Sequence, residues 1–119
     1  MTEQWTTSLP HPLPEALSEL IAHRFHVLGE PMRIRLLDQM RDGEATVHEI
    51  AEGACASQQN VSKHLHLLHE AGIISRRKSG TQALYQVVDE GVFELCEAVC
   101  DSAQRQVAEL NAIFEGVES

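Results

Sequence analysis

Aromatic side chains are scarce in this chain, whose 119 residues include one tryptophan, one tyrosine and three phenylalanines. Because 43% of the residues are nevertheless apolar, the core must be built mainly from aliphatic side chains. The three cysteines, an odd number, argue against a disulfide scaffold and suit a reducing compartment. No apolar run approaches the roughly 20 residues that cross a bilayer, and residues 1–14 lack the basic start and apolar stretch of a signal peptide. We therefore expect a cytoplasmic protein with no membrane partner.

The length of the chain favours one domain, and the prolines indicate where that domain starts. Pro10, Pro12 and Pro14 lie close together, and they predict a flexible, extended arm over residues 1–14. The remaining residues, 15–119, are expected to form a single domain.

Two short helices are predicted near the middle of the chain. Thr46 and Glu49 have the spacing of a capping box, which starts a helix that Gly53 is expected to break. Ser57 is a candidate N-cap for the second helix, and Gly72 is placed to end it. We call this second helix the recognition helix.

A tight β-hairpin is predicted directly after the recognition helix. Two β-prone runs flank the turn at Ser79-Gly80, which is a pattern typical of a hairpin. The first run carries three consecutive cations, Arg76, Arg77 and Lys78. A helix pair followed by a basic hairpin is typical of a winged helix-turn-helix, so double-stranded DNA is the expected partner.

The recognition helix has one apolar and one polar side. At 100° per residue, Val61, Leu65 and Leu68 form a stripe that must face the core. Hydrogen-bonding side chains lie on or near the opposite side, at Gln59, Ser62, Lys63 and His66. Glutamine can pair with adenine through two hydrogen bonds, and lysine can meet guanine or a phosphate. A solvated polar face would look similar, but the basic hairpin beside it favours DNA.

The overall charge of the chain is −9, which is unusual for a DNA-binding protein. Residues 57–88, however, carry a net charge of +3, from four cations and Glu70. A basic stripe on an acidic body still attracts phosphate locally. The acidic remainder repels DNA elsewhere and disfavours wrong docking orientations.

The last helix predicts a dimer. Its apolar stripe runs from Val92 almost to the end of the chain, which is longer than a small core can cover. The surplus is expected to meet the same helix of a second copy, joined by the first helix. The residues assigned to this interface are Leu17, Ile21, Val99, Ala103, Val107, Leu110 and Phe114. A two-fold dimer would place two recognition helices about one DNA turn apart, which matches a palindrome.

The chain also resembles a known family of bacterial repressors, the ArsR/SmtB type. Residues 27–37 (VLGEPMRIRLL) resemble the family's LGxPxRxxIL opening, and residues 57–65 (SQQNVSKHL) with 68–74 (LHEAGII) resemble its recognition helix. Residues 76–80 with Leu84-Tyr85 match its wing, so the resemblance runs from about His23 to Cys100.

The resemblance implies a mainly α fold of five helices and a β-hairpin wing. It also implies a dimeric repressor that leaves its operator when an effector binds. In such repressors, the residues corresponding to Gln58, Gln59, Ser62 and Lys63 approach DNA. Together with the analysis of faces, the predicted DNA-contacting set is Ser57, Gln58, Gln59, Asn60, Ser62, Lys63, His64, His66, Arg76, Arg77 and Lys78.

The effector is not identified by the sequence. The cysteine pair that some relatives carry before the recognition helix is absent, and the last helix has no histidine with which to bind zinc. Cys96 and Cys100 are one helical turn apart and would suit a thiophilic metal or metalloid ion, with Cys55 as a possible third ligand. Both α-helical cysteines also fit the apolar stripe, where free cysteine often packs as a small hydrophobe.

Other functions remain as alternatives. No nucleophile motif, phosphate loop or paired catalytic carboxylates are present, so an enzyme is not expected. A DNA-binding protein without an effector would leave Cys96 and Cys100 inert. A winged helix used for protein contacts would not need Gln59, Ser62 and Lys63 to converge with a basic wing.

Overall fold

The computed structural model describes residues 9–118, with side chains described as far as residue 116. Within this range the chain forms five helices and three strands, in agreement with the predicted mainly α winged helix-turn-helix. The elements are α1 (Glu15–Leu28), α2 (Pro31–Gln39), β1 (Ala45–Thr46), α3 (Val47–Ala54), α4 (Gln58–Glu70), β2 (Ile74–Ser79), β3 (Gln82–Val87) and α5 (Gly91–Glu118). Most of the arm predicted over residues 1–14 lies outside the described residues.

The chain divides into two compact units, one ending at Val88 and the other beginning at Asp89. The first unit contains α1 to β3, and the second consists of α5. None of the described helices combines the length and apolar character needed to span a membrane.

The core of the first unit is aliphatic, as its composition predicts. Tyr85 is the buried aromatic side chain among the described residues. The predicted inner stripe of α4 is confirmed, because Val61, Leu65 and Leu68 have no solvent exposure. Full burial of such side chains is worth about 1.5–3 kcal/mol each, so the core fixes which side of α4 faces outward.

The helix starts follow from local sequence. Thr46 and Glu49 form the predicted capping box: the Thr46 hydroxyl accepts from the Glu49 amide, and the Glu49 carboxylate accepts from the Thr46 amide. Ser57 caps α4 by accepting from the Asn60 amide at 3.2 Å. Gly72 follows the end of α4 with a φ of +76°, a left-handed conformation that suits glycine.

The expectation that Gly53 breaks the first of the two helices was wrong. Gly53 lies inside α3, which ends at Ala54, and Cys55 adopts the left-handed conformation that stops it, with φ 54° and ψ 46°. Gly53 lies against the Gln39 side chain, whose amide donates to the Gly53 carbonyl at 3.3 Å. A β-carbon at this position would displace the end of that flexible side chain.

The sheet has three strands rather than the two of the predicted hairpin. β1 pairs antiparallel with β3, which pairs with β2, giving the order β1-β3-β2. The third strand has only the residues Ala45 and Thr46, too few for an alternating pattern to be visible in the sequence. It ties the start of α3 to the hairpin formed by β2, β3 and their turn, which we call the wing.

Candidate nucleic-acid interface

The outward side of α4 carries a group of exposed hydrogen-bonding side chains. They are Gln58, Gln59, Asn60, Ser62, Lys63 and His66, all from the set predicted to contact DNA, and Ser57 is exposed at the cap. The Lys63 side chain makes no hydrogen bond or ion pair with any other described residue, so its charge is available to a partner. The Gln58 amide lies 3.0 Å from His48 Nδ1, and His66 Nε2 lies 2.6 Å from a Glu70 carboxylate oxygen.

His64 is placed differently from the rest of that set. Its side chain is only 16% exposed and lies against α2 and the residue before it. Arg33 Nη1 is 3.1 Å from His64 Nδ1, and Glu30 Oε2 is 4.0 Å from the same atom. Because arginine can only donate, His64 Nδ1 must be the acceptor in this contact. His64 therefore connects α4 to α2, and we leave it out of the proposed contact surface.

The three cations of the wing do not share one side of it. Arg76, Arg77 and Lys78 stand opposite Tyr85, Leu84 and Ala83 of β3, respectively. Side chains alternate along a strand, so Arg76 and Lys78 lie on one face of the wing and Arg77 on the other. Arg76 Nε donates to the Tyr85 hydroxyl at 3.2 Å, a neutral partner that leaves the guanidinium charge uncompensated. The Lys78 side chain forms no hydrogen bond or ion pair with the described part of the chain.

Arg77 is held by a carboxylate that the sequence did not indicate. Arg77 Nε and Nη2 donate to the two oxygens of Glu44 at 2.5 and 2.9 Å. The hydrogen bonds from Arg77 lower the pKa of Glu44 below its ordinary value, and the same contact raises the pKa of Arg77. The pair is therefore ionised at neutral pH, and Arg77 adds little net charge to the surface.

Several other arginines bind backbone carbonyls at the ends of helices. Arg24 donates to Ala71 at the end of α4, Arg33 to Val27 near the end of α1, and Arg35 to Ala54 at the end of α3. A cation at a helix C-terminus also interacts favourably with the helix dipole. These arginines therefore stabilise the scaffold, and the cations that remain on α4 and the wing without an anionic partner are Lys63, Arg76 and Lys78.

A polar cleft lies where the starts of α3 and α4 meet the turn of the wing. It has a volume of about 230 Å³. Its lining residues are Thr46, Val47, His48, Gln58, Thr81, Gln82 and Ala83. The cleft has no carboxylate in its wall, so it adds no repulsion for a phosphate backbone beside the first turn of α4.

The three cysteines are free thiols. Cys55 is exposed in the turn between α3 and α4, while on α5 Cys96 is half-buried and Cys100 is exposed. Within residues 9–118, no group of three or more His, Cys, Asp or Glu side chains is arranged to hold a metal ion. One chain therefore offers at most a two-thiol pair on α5.

The apolar stripe of α5 is largely open to solvent. Val99, Val107, Leu110 and Phe114 are 57%, 55%, 47% and 63% exposed, and Ala103 is exposed as well. On α1, Leu17 and Ile21 are half-buried. Large apolar side chains repeated along one helix face at this exposure are typical of a surface that meets another protein.

Comparison with known proteins adds three similarities. The chain is 32% identical over 91 residues to the transcriptional regulator KmtR of Mycobacterium tuberculosis (strain ATCC 25618 / H37Rv), spanning 76% of this chain and 70% of KmtR. It is 30% identical over 82 residues to the transcriptional repressor SmtB of the same strain, spanning 69% of this chain and 61% of SmtB. The crystal structure of the AntR antimony-specific transcriptional repressor superposes with a TM-score of 0.71 at 26% identity, over 81% of this chain and 90% of AntR.

A helix pair followed by a β-hairpin, with a short strand before the pair that completes a three-stranded sheet, defines a winged helix-turn-helix protein. Residues 30–76 match the family described as bacterial regulatory proteins of the arsR family. This chain belongs to that ArsR/SmtB family of transcriptional regulators, and the resemblance found in the sequence is confirmed. The relatives are named as regulators and repressors, which agrees with the expectation that the chain is not an enzyme.

Proposed function

We propose that the protein is a transcriptional repressor that binds double-stranded DNA through α4 and the wing. The observation that carries this proposal is the division of α4 into a fully buried stripe and an exposed face with Gln59, Ser62 and Lys63. These side chains match the donors and acceptors of the major groove. Arg76 and Lys78 supply phosphate contacts beside them, and the family membership of the chain supports the same partner.

The protein acts as a homodimer on a palindromic operator. The exposed stripe of α5 supports this, since pairing two copies would cover Val107, Leu110 and Phe114. Leu17 and Ile21 of α1 are proposed to join the interface. A bacterial operator lies in the cytoplasm, where free thiols are also stable, so we place the protein there.

A thiophilic metal or metalloid ion is the proposed effector. Cys96 and Cys100 are free thiols one helical turn apart, a spacing that allows both sulfurs to bind one ion. The name of the antimony-specific repressor AntR, a protein of the same fold, supports an ion of this class. A dimer would offer four thiols, although inert cysteines and a repressor without an effector remain the competing hypothesis.

Salt dependence of DNA affinity tests the DNA-binding proposal. Lys63→Ala should weaken binding and reduce the slope of log affinity against log salt by about 0.9 for each phosphate that the protein no longer neutralises. Arg105→Ala on α5 is the matched control, because it removes the same charge outside the proposed surface. Equal slopes for the wild type and Lys63→Ala would remove Lys63 from the contact surface. Failure of the wild type to bind any duplex would favour a protein-interaction module.

A further inference from the structure

The pair between Glu44 and Arg77 joins two parts of the sheet that are distant in sequence. Glu44 directly precedes β1, and Arg77 lies in β2, with β3 between these strands. Thr46 and Arg77 both stand opposite Leu84, and Glu44 is two residues before Thr46, so all of them belong to one face of the sheet. On that face both carboxylate oxygens of Glu44 bind the guanidinium.

We propose that Glu44 withholds Arg77 from DNA and so limits the number of phosphates that the wing contacts. This inference rests on the DNA-binding function proposed above. The side chain of Arg77 is 58% exposed, so water and a phosphate group of DNA can reach it. Glu44 cancels its charge, whereas Arg76 and Lys78 on the other face keep theirs.

The pair has an effect beyond its contribution to folding. Its two-point geometry favours stability, but water screens the contact because the Arg77 side chain is exposed. A free cation has a larger effect on DNA binding. Each phosphate that it neutralises releases counterions, which strengthens binding to DNA of any sequence. Withholding one cation on each protomer weakens binding to random DNA and leaves the base contacts of α4 to decide affinity. Glu44 is thus a specificity-determining residue that need not touch DNA.

A four-protein cycle on a mixed-sequence DNA duplex tests the inference. The proteins are the wild type, Glu44→Gln, Arg77→Gln and the double variant, with affinity measured by fluorescence anisotropy from about 50 to 200 mM salt. Glu44→Gln should bind DNA more tightly than the wild type. Its slope of log affinity against log salt should be steeper by about 0.9 for each protomer. Between the lowest and the highest salt, its affinity should therefore fall roughly threefold more per protomer than that of the wild type. Arg77→Gln leaves the Glu44 carboxylate without its partner and should bind DNA more weakly than the wild type. The double variant lacks both charges, so it should bind with the affinity and slope of the wild type.

Three results would contradict the inference, each for a different reason. A slope for Glu44→Gln equal to that of the wild type means that Arg77 is not released onto DNA. A clearly shallower slope for the double variant than for the wild type means that Arg77 already binds phosphate with Glu44 in place. If Glu44→Gln and the double variant both bind DNA more tightly than the wild type and to the same extent, the loss of one negative charge explains the effect and Arg77 has no part in it.

The test also separates this inference from the proposed function. If the wild type binds the duplex with a salt-dependent affinity and only the Glu44 effect is missing, the DNA-binding proposal stands and the inference fails. If none of the four proteins binds DNA, both fail. Circular dichroism of each variant reports on folding, and Glu44→Ala serves as a second variant that removes the carboxylate should Glu44→Gln fold poorly.

Discussion

Replacing Leu110 with glutamate would test the dimer interface at its proposed centre. Leu110 lies on the exposed apolar stripe of α5, between Val107 and Phe114, and 47% of it is open to solvent in a single chain. A glutamate is tolerated there in a monomer because water reaches the position. In the proposed dimer the same carboxylate would be buried without a partner.

The size of the effect follows from that difference. A buried charge that has no partner costs about 3–5 kcal/mol. A two-fold interface contains the substitution twice, so the dimer should lose at least about 6 kcal/mol of association free energy. Each 1.4 kcal/mol is a factor of ten, which raises the dimer dissociation constant by about four orders of magnitude.

Sedimentation equilibrium measures this change directly, and Ala112→Glu is the matched control. Ala112 is exposed on the same helix and lies two residues on, about 200° around the axis from Leu110. Both variants carry the same added charge. We expect Leu110→Glu to sediment as a monomer and to lose operator affinity, while Ala112→Glu remains a dimer. A dimeric Leu110→Glu variant with unchanged dissociation constant would show that this stripe is not the interface.

Two further predictions concern the effector and the pH dependence of folding. Replacing Cys96 and Cys100 with serine should leave DNA binding intact but abolish release from the operator by arsenite or by zinc and cadmium ions. If the wild type and the double serine variant bind the same number of ions and are released equally, the two cysteines serve only in packing. Hydrogen bonds from the Thr46 backbone and hydroxyl lower the pKa of Glu49, so its stabilising contribution is present above the ordinary pKa of 4.5 and is lost as pH falls through the lower folded value. In urea titrations, Glu49→Gln should be less stable than the wild type at pH 7, and the difference should vanish in acid; a difference that is the same at all pH values would contradict this.

Local features of the fold could be predicted from the sequence because they depend on neighbours within one helix or turn. The Thr46–Glu49 box, the Ser57 cap and the inner stripe of α4 all involve residues at most a few turns apart. The position where α3 ends was missed, because Cys55 takes the left-handed conformation that sequence rules assign to glycine.

The parts of the site that escaped prediction depend on residues far apart in the chain. Glu44 and Arg77 are separated by 33 residues, and Arg33 and His64 by 31. No spacing rule links such positions, and the strand that brings Glu44 beside the wing has only two residues. The sequence therefore indicated the basic wing correctly but gave no sign that one of its three cations is neutralised.

Selection from a pool of randomised DNA duplexes tests the central claim most directly, that the exposed face of α4 reads base sequence. The wild type should enrich a palindrome whose half-sites are about 10–10.5 base pairs apart, or a multiple of that distance. Gln59→Ala should lose base preference at one position in each half-site while keeping the salt slope, because a base contact carries specificity and a phosphate contact does not. Gln104→Ala on α5 should enrich the same palindrome as the wild type. Failure of the wild type to enrich any sequence, or an unchanged consensus in Gln59→Ala, would contradict the assignment of this face as the DNA-reading surface.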